Sequence, residues 1–417
     1  MAATRNVLVA GAGIGGLVAA LALTRAGFRA TVLEQAPRLE ETGAGIQLSP
    51  NATRVLIALG LAERLAVTAV EPACVRVMSG ISGREIVRIP LGSWAERRYG
   101  APYWVIHRGD LQNALLEAAR ANQDVTLKLG TRVEDFAAHP NGVSVQARRA
   151  GHVVEEQGIA LIGADGLWST VRARMRRQRP PVFRHRTAWR ALVPAANVAP
   201  QWREPVVHLW LGLDSHLVHY PVKGGALINI VGIADDEWQE AGWSAFGERE
   251  EVLHHFGRWS WAEPARALVA VPERWSKWAL FDRGAPMPGG SGVVTLIGDA
   301  AHPTLPFLAQ GGAMAIEDAA VLAASLGANA DNPIKALRAY EKTRRKRTGK
   351  VQKLARRQGN RYAMTGPEAL IRNFVMRRMG GPKLLSRYDW IYGWQPPAFD
   401  SVHRHVTPLG GEDAEEG

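Results

Sequence analysis

Cysteine is almost absent from this 417-residue chain, which contains only one, Cys74. A single thiol cannot form an internal disulfide, and it cannot build a cysteine-based metal cluster. The sequence therefore predicts no metal site of that kind. We interpret Cys74 as a buried thiol without a chemical role.

Long hydrophobic runs are lacking as well. No apolar run in the sequence approaches the roughly 18 residues that would span a bilayer. The N-terminus leads within a few residues into a strand-like segment and does not have the shape of a signal peptide. We therefore expect a cytoplasmic protein with no membrane partner.

Acidic residues are too few to balance the basic ones, and the net charge is +12 at pH 7. The basic side chains concentrate in residues 172–186 and 342–353. These runs lack the interleaved aromatic side chains that stack on bases, so no nucleic-acid partner is predicted. The simplest interpretation of these basic runs is a solvated helix face. A basic surface also attracts anionic aromatic acids and nicotinamide nucleotides.

A chain of 417 residues is too long for one ordinary core, so two packed domains are expected. Strand and helix signals alternate early in the chain, whereas residues 181–280 have strand-like alternation, are rich in Trp and Val, and lack helical periodicity. This pattern predicts an α/β fold: a Rossmann-like dinucleotide-binding domain, an inserted antiparallel β-sheet domain and C-terminal helices. The predicted boundaries give the first domain residues 1–74, 101–180 and 281–330, the sheet domain residues 181–280 with a hairpin from 75–100, a helical region at 331–396 and a disordered tail at 397–417.

The N-terminus carries the glycine pattern of a dinucleotide site. Gly11, Gly13 and Gly16 follow a predicted strand and open a predicted helix. Gly11 permits the tight turn, Gly13 lets a pyrophosphate approach the backbone, and Gly16 allows close helix–strand packing. The phosphates then rest on the helix N-terminus. Glu34 ends the next strand, where its carboxylate can accept hydrogen bonds from an adenosine ribose. The motif does not distinguish FAD from NAD.

A second turn makes that distinction. A predicted strand at residues 292–297 leads into Gly298 and Asp299, and a helix follows from Gly311 and Gly312. An acidic side chain at the strand end can hold a ribityl hydroxyl. Amides at the helix N-terminus can face the pyrimidine edge of a flavin, where the helix dipole stabilises the reduced anion. A plain nicotinamide-dependent dehydrogenase has no use for this site, so the pattern favours FAD.

With these motifs the chain resembles the single-component FAD-dependent aromatic hydroxylases, the family of p-hydroxybenzoate, salicylate and 3-hydroxybenzoate hydroxylases. Residues 298–318 (GDAAHPTLPFLAQGGAMAIED) and 43–51 (GAGIQLSPN) look most like the salicylate and 3-hydroxybenzoate branch. The aromatic run at residues 388–394 does so too. The resemblance covers nearly the whole chain, and 6-hydroxynicotinate is a third candidate substrate.

The resemblance implies roles for individual residues. Arg108 contacts FAD, and Asp165 lies in a segment that serves both FAD and the nicotinamide nucleotide, together with Ser169 and Arg172. Asp299 holds the ribityl chain, and Pro306 lies beside the flavin near the ring to be hydroxylated. The full predicted set of FAD-binding residues is Gly11, Gly13, Ile14, Gly15, Gly16, Glu34, Gln35, Gly45, Ile46, Arg108, Asp165, Asp299, Pro306, Gly311 and Gly312.

A second glycine motif is missing, so no separate nicotinamide domain is predicted. In the family that the chain resembles, NADH or NADPH reduces a tightly but non-covalently bound FAD and leaves. O₂ then forms a flavin C4a-hydroperoxide, which hydroxylates a phenolic aromatic acid. The motifs do not choose the ring or the reductant, and a homodimer is a candidate assembly.

The proposed substrate-facing strand contains His216, Val218 and Tyr220 on one face, with His219 on the other. An imidazole and a phenol at this spacing could bind and deprotonate a substrate phenol, which makes the ring electron-rich. The close members of the resembled family have a His and a Tyr at this spacing. The sequence therefore predicts His216, Tyr220 and Pro306 as catalytic residues, although a sheet-face histidine and tyrosine are often structural.

Looser candidates for the substrate-pocket wall are Gln47, Arg84, Trp189 and Arg190. Either arginine could hold a substrate carboxylate through a fork of hydrogen bonds, and a surface salt bridge is an equally good interpretation. The predicted substrate-binding set is Gln47, Arg84, Arg190, His216, Tyr220 and Pro306.

Three further features of the sequence concern supporting or excluded roles. Thr304 stands where a larger apolar residue is common in the family that the chain resembles. His302 is interpreted as a residue that supports its own loop. His208, His216 and His219 are not expected to bind a metal, because they lie on opposite faces or separate strands and no carboxylate is placed to complete a shell. Metal binding is therefore not predicted.

Two other functions remain open at this point. A reductase or halogenase could share the same fold, although no Trp-rich, lysine-containing motif of a halogenase follows the first domain. A basic nucleic-acid-binding protein would contain no chromophore and would lose binding steeply with salt.

Overall fold

A computed structural model describes residues 5–39, 44–175, 180–238, 245–284, 287 and 289–399. Of the predicted disordered tail at residues 397–417, the structure describes residues 397–399, where Phe399 is buried against the core; the rest lies outside the described residues. The strands of the described segments are, in chain order, β1 (Asn6–Ala10), β2 (Arg29–Glu34), β3 (Gly45–Leu48), β4 (Cys74–Ser79), β5 (Glu85–Pro90), β6 (Trp104–His107), β7 (Val125–Leu129), β8 (Thr131–His139), β9 (Gly142–Arg149), β10 (His152–Gly158), β11 (Ala160–Gly163), β12 (Val182–Pro194), β13 (Val207–Leu211), β14 (Ser215–Val222), β15 (Leu227–Asp235), β16 (Ala245–Gly247), β17 (Trp275–Asp282) and β18 (Val294–Leu296).

The α-helices of the same segments are α1 (Ile14–Arg25), α2 (Pro50–Ala58), α3 (Ala62–Ala66), α4 (Gly92–Tyr99), α5 (Arg108–Ala121), α6 (Thr170–Arg174), α7 (Arg249–Phe256), α8 (Glu263–Ala270), α9 (Gly298–Ala301), α10 (Gly311–Ala328), α11 (Pro333–Tyr362), α12 (Gly366–Met379), α13 (Gly381–Ser386) and α14 (Asp389–Tyr392). A 3₁₀ turn, Pro306–Leu308, joins α9 to α10.

A parallel five-stranded sheet forms the first layer, in the order β18-β11-β1-β2-β7. The strands β1, β2, β11 and β18 are short, mostly apolar and mostly buried, as a parallel sheet between helices requires, whereas the edge strand β7 is only partly buried. The unit β1–α1–β2 is the strand–helix–strand unit predicted from the glycine motif. The carboxyl ends of β1, β11 and β18 lie side by side, so the turns that follow them share one edge of the sheet.

An eight-stranded sheet forms the second layer, in the order β16-β17-β12-β15-β14-β13-β4-β5. Its pairs are antiparallel except for β4 with β13, which run parallel. The predicted hairpin of β4 and β5 therefore joins the sheet of residues 181–280. The α/β fold with an added, mostly antiparallel sheet and C-terminal helices is confirmed, while the exact domain boundaries stay predictions.

Local expectations were wrong in two places. From their glycines, residues 42–51 are expected to form a loop, but residues 45–48 form β3, whose strand partner among the described residues is β6. So short a strand shows little periodicity of its own. Residues 181–280 also contain α7 and α8, whose buried faces pack among tryptophans of the sheet. These helices are only eight residues long, too short for a clear helical period.

The helix α10 contains the charged Glu317 and Asp318, so it is not an uninterrupted apolar run. This 18-residue helix is long and apolar enough, by length and composition alone, to cross a membrane. In the structure 67% of it is buried inside the protein, where it packs between α1 and α11.

A buried aromatic cluster lies on the face of the eight-stranded sheet turned away from the parallel sheet. His208 and His219 face each other across β13 and β14, with ring centroids 4.4 Å apart and an interplanar angle of 2°. Trp202 and Trp210 pack against His219, whose two ring nitrogens have no hydrogen-bond partner among the described residues. Burial, and then the charge of Arg76, lowers the pKa of His208 to about 3.

This cluster predicts acid sensitivity of the fold. The pKa of His208 is lower in the folded than in the unfolded chain, so between the two values the unfolded chain binds more protons and stability falls as the pH falls. We expect His208 alone to lower the free energy of unfolding by about 2 kcal/mol between pH 7.5 and pH 5. Urea titrations of wild type and His208→Phe at both pH values test this, with the exposed His152→Gln as control. An equal pH dependence of wild type and His208→Phe would contradict the assignment.

Candidate functional site

A cavity of about 1550 Å³ lies between the turns of the parallel sheet, one face of the eight-stranded sheet and the C-terminal helices. Most of the residues predicted from the sequence to bind cofactor or substrate line it. They are Gly11, Gly13, Ile14, Gly15, Glu34, Gln35, Gly45, Ile46, Gln47, Arg108, Asp165, Arg190, His216, Tyr220, Asp299, Pro306, Gly311 and Gly312.

The turn between β1 and α1 is shaped by its glycines. Gly11 has φ +104°, and a Cβ there would lie 2.6 Å from the carbonyl oxygen of Ala164. A Cβ on Gly16 would lie 1.9 Å from the carbonyl oxygen of Gly11, so this glycine serves packing and does not line the cavity. Gly13 has nothing within 4 Å of its Cβ position, and it precedes α1 without a side-chain cap. The open space at this helix N-terminus fits a pyrophosphate.

Glu34 is tied to the same turn. One carboxylate oxygen accepts the amide of Ala12 at 2.7 Å, and the other accepts the amide of Ala36 at 2.8 Å. Each oxygen keeps a second lone pair that a ribose hydroxyl could use. The side chain therefore holds the turn in place in addition to lining the cavity.

The turn after β18 presents a carboxylate and a helix end to the cavity. Gly298 has φ +56°, a conformation that favours glycine, and Asp299 follows it on the cavity wall. Burial of Asp299 within the surrounding protein raises the pKa of its carboxyl group. The N-terminus of α10, at Gly311, has neither a side-chain cap nor an acidic residue in its first turn. Its positive dipole end therefore faces the cavity, with an oxygen of Asp299 4.0 Å from the Cβ position of Gly311, and it suits the electron-rich edge of a flavin.

The turn after β11 is connected to the turn after β18. Asp165 accepts the hydroxyl of Ser169 at 2.5 Å and the amide of Val171 at 3.0 Å. Arg172 donates to the carbonyl oxygens of Ala300 and Ala301 at 2.7 and 2.9 Å. The two acidic turns are thereby fixed relative to each other.

A buried ionic cluster lies behind these turns. Arg344 of α11 donates to Asp318 at 2.6 Å and to Glu317 at 2.7 Å. Asp318 also contacts His302 at 2.5 Å and accepts the amide of Gly298 at 2.9 Å. Although burial opposes it, the charges of His302 and Arg344 hold the pKa of Asp318 below its usual value. His302 thus fixes its loop, as interpreted from the sequence.

Glu317 extends the cluster toward α2 and the C-terminus. It accepts Asn51 at 2.6 Å and two nitrogens of Arg347, each at 2.7 Å. Arg347 in turn donates to the carbonyl oxygens of Trp390 and Ile391. The cluster therefore connects α2, α10, α11 and α14.

The face of the eight-stranded sheet that lines the cavity places the polar candidates close together. Arg190 on β12 faces Val231 on β15, which faces Val218 on β14. His216 and Tyr220 lie two residues to either side of Val218, on the same face. The structure therefore brings Arg190, His216 and Tyr220 to neighbouring positions of the cavity wall.

Arg190 is a cation turned toward the cavity. Its guanidinium lies 5.0 Å from the centre of the Trp278 ring, and its Nε is buried without a hydrogen-bond partner in the described part of the chain. Burial, together with the charge of Arg108, lowers its pKa to about 10, so it stays positive at neutral pH. Burial likewise lowers the pKa of Arg108, against the opposing charge of Asp299.

His216 and Tyr220 are both neutral near pH 7. Burial, and then the charge of Arg186, lowers the pKa of His216 to about 3. Burial raises the pKa of Tyr220. His216 can therefore accept a hydrogen bond from a phenol, and Tyr220 can donate one to a phenolic or carboxylate oxygen.

Two of the looser sequence candidates lie away from the cavity. Arg84 is exposed in the turn between β4 and β5, because the hairpin points its tip outward. Trp189 is buried in the cluster on the opposite sheet face, as strand alternation requires for a neighbour of Arg190. Among the described residues, no group of three potential metal ligands is found.

Sequence reasoning missed several residues of the site. Asn229 accepts the amide of Gly45 at 2.7 Å, and Tyr103 donates to Gln47 at 2.7 Å. An asparagine within an apolar predicted strand was the available signal for the first. Trp278, which packs on Arg190, also lines the cavity. Thr304, which the sequence had placed near the substrate region, does so too.

The comparisons with known proteins agree with this geometry. A family model described as an FAD binding domain matches residues 4–355. The 3-hydroxybenzoate 6-hydroxylase of Polaromonas naphthalenivorans is 38% identical over 93% of this chain and 96% of its own length. The 3-amino-4-hydroxybenzoate 2-monooxygenase of Streptomyces cremeus is 38% identical over 93% of this chain and 95% of its own.

Solved structures have the same fold. A salicylate hydroxylase substrate complex aligns with a TM-score of 0.78 and 26% identity over 95% of this chain and 97% of that one. HpxO of Klebsiella pneumoniae, complexed with FAD and uric acid, aligns with a TM-score of 0.81 over 93% of this chain and 96% of that one; at 23% identity it supports the fold alone. The chain belongs to the FAD binding domain family and is an FAD-dependent monooxygenase of aromatic rings that uses NAD(P)H and O₂.

Proposed function

We propose that this enzyme hydroxylates a hydroxylated aromatic acid of the 3-hydroxybenzoate type, with the carboxylate on Arg190 and the phenol between His216 and Tyr220. The observation that carries the proposal is a cavity-facing cation, Arg190, with no carboxylate partner among the described side chains. A buried unpaired charge is costly, and a substrate carboxylate would supply the missing partner. The two relatives and the salicylate hydroxylase are each named for an aromatic ring that carries one hydroxyl and one carboxylate.

FAD, when bound, accepts hydride from NAD(P)H and activates O₂ for transfer to the ring. We assign its pyrophosphate to Gly11 and Gly13 at α1, its ribityl chain to Asp299, and its pyrimidine edge to Gly311 at α10. Gln35 and Glu34 would lie at the adenosine end. These assignments rest on the open turns, the uncapped helix ends and the carboxylates described above.

The substrate phenol would be prepared by neutral groups beside a cation. Because the pKa of His216 is about 3, its imidazole is a free acceptor for the phenolic proton at neutral pH. It is a weak base, so it polarises the O–H bond and does not hold the proton before the ring reacts. Tyr220 can donate to the phenol oxygen as negative charge develops on it, whereas the charge of Arg190 is largely offset by the substrate carboxylate.

A cytoplasmic location and a homodimer stay proposals. So does the choice between 3-hydroxybenzoate, salicylate and 6-hydroxynicotinate, since these acids differ only in a few hydrogen-bonding positions. A panel of such acids, scored by NADH oxidation, oxygen uptake and product identity, tests the function directly. If no acid in the panel increases the rate of NADH oxidation, the proposed function is refuted.

The carboxylate role of Arg190 can be tested by removing the charge. Arg190→Gln should lower kcat/KM for 3-hydroxybenzoate by about 10²-fold, mainly through KM, because a charge-assisted bidentate contact is lost. The exposed Arg84→Gln is the matched control and should behave as wild type. Wild type should also prefer 3-hydroxybenzoate strongly over the neutral 3-hydroxybenzamide, and Arg190→Gln should lose that preference. An unchanged acid-to-amide ratio would contradict the role.

The role of His216 can be separated from simple packing. His216→Leu should lower the yield of product per NADH and lower kcat by roughly 10²-fold, whereas His216→Asn, which keeps an acceptor, should retain part of both. Because the pKa of His216 is about 3, wild-type kcat/KM should show no limb from this group between pH 5.5 and pH 9. If His216→Leu gives the same yield of product per NADH as wild type, the histidine is structural.

A further inference from the structure

The cavity continues beyond the polar residues into an apolar region. On β13 and β4, Leu209 faces Val218 and Val77 faces Leu209, so the row that begins at Arg190 becomes wholly apolar. In the next row Val207 and Val75 follow Tyr220 in the same way, since β13 and β4 continue in register.

The C-terminal helices form the opposite wall of this region. Met376 of α12 and Leu384 of α13 pack toward Val77 and Leu209 and also line the cavity. We call the space bounded by Val75, Val77, Val207, Leu209, Met376 and Leu384 the apolar chamber. It is continuous with the space beside His216 and Tyr220.

A simple hydroxybenzoate would not use this chamber. Its carboxylate and hydroxyl would be held by Arg190, His216 and Tyr220, which lie on β12 and β14, whereas the chamber begins at the next strand, β13. The ring carries no further apolar group to reach Val77 or Met376. A nicotinamide nucleotide is also unsuited, because its phosphates would lose hydration against these side chains without gaining a polar partner.

The chamber has an opening suited to an amphiphilic anion. Ile371 and Val375 of α12 line the cavity, yet they are 64% and 44% exposed, so this helix borders its outer opening. Arg361, Arg372 and Arg387 line the same part of the cavity. The acidic Glu368 of α12 also lines the cavity, so the three arginines outnumber it. An apolar opening with this excess of positive charge fits a molecule with an acidic head and an apolar body.

We infer that the preferred substrate is an aromatic acid that carries an apolar substituent, an alkyl or aryl group, and that this substituent occupies the apolar chamber. The inference rests on the proposed function, because the acid and phenol positions orient the ring. It narrows the substrate class from simple hydroxybenzoates to substituted ones.

The test uses the FAD-loaded enzyme and 3-hydroxybenzoates with alkyl chains of one to six carbons at each free ring position. For the position that points into the chamber, kcat/KM should rise with chain length by roughly threefold to fourfold per methylene until the chamber is filled, as burial of each CH₂ predicts. NADH-dependent oxygen uptake and product analysis give kcat/KM and coupling together.

Variants that fill the chamber provide the second arm. Leu209→Trp should flatten the dependence on chain length, and Val77→Phe should do so in part. The control is Leu213→Trp, at the exposed turn between β13 and β14, which should keep the wild-type dependence. Thermal unfolding and FAD content establish that each variant is folded, and the milder Val77→Phe keeps the test available if Leu209→Trp does not fold.

The outcomes separate the two proposals. Turnover of 3-hydroxybenzoate with kcat/KM that is flat or falls with chain length at every ring position would overturn the chamber and leave the proposed function standing. If neither this series nor any acid of the panel described above stimulates NADH oxidation, the proposed function fails and the inference fails with it. If another acid of that panel is the one turned over, the alkyl series is made on that acid and the same outcomes apply. A rise in wild type that Leu209→Trp and Val77→Phe do not reduce would place the substituent elsewhere and overturn the assignment.

Discussion

The arrangement of the site depends on the buried ionic cluster around Glu317 and Asp318. These two carboxylates are adjacent on α10, and Arg344 joins them from α11. Buried charges are costly to desolvate, so the cluster is weak evidence for stability as such. The cluster instead fixes the relative positions of its members, because separation of one partner would leave another charge buried and unpaired. The helix end at Gly311 and the turn at Gly298 are therefore held in one relative position.

The second constraint is the register of the eight-stranded sheet. Arg190, His216 and Tyr220 come from two strands that are not neighbours, with β15 between them. A shift of one residue in the pairing of β12 with β15, or of β14 with β15, would move every side chain of the shifted strand to the opposite face. Trp189 or His219 would then point into the cavity instead. The tryptophan-rich cluster on the far face opposes such a shift, since it would then have to bury Arg190. Packing on one face of the sheet thus determines which side chains line the cavity on the other face.

Local motifs made much of the fold predictable, and long-range contacts explain what was missed. The glycine turn, the strand ending at Glu34 and the alternation around His216 are each encoded within a few residues, and these predictions match the structure. The strand Gly45–Leu48 was missed because it depends on a partner some sixty residues away. Arg84 and Arg190 looked alike as candidates, because the sequence alone does not tell whether a hairpin turn or a strand face lies against the cavity.

The wall formed by α12 and α13 was equally hidden from the sequence. Nothing local in Met376 or Leu384 indicates that they pack over β4 and β5. The electrostatics could not be predicted either: His216 suggests a base with a pKa near 6.5, but complete burial beside a cation makes it a neutral acceptor. The same burial leaves Arg190 positive, so the site attracts an anion without holding a base ready to remove its proton. In the proposed function, activation of the ring would then come more through polarisation of the phenol by its neighbours than through full deprotonation, and such polarisation is strongest where water is excluded. An apolar body that fills the space beyond Val218 would exclude that water, which connects the chamber to the chemistry at the polar edge.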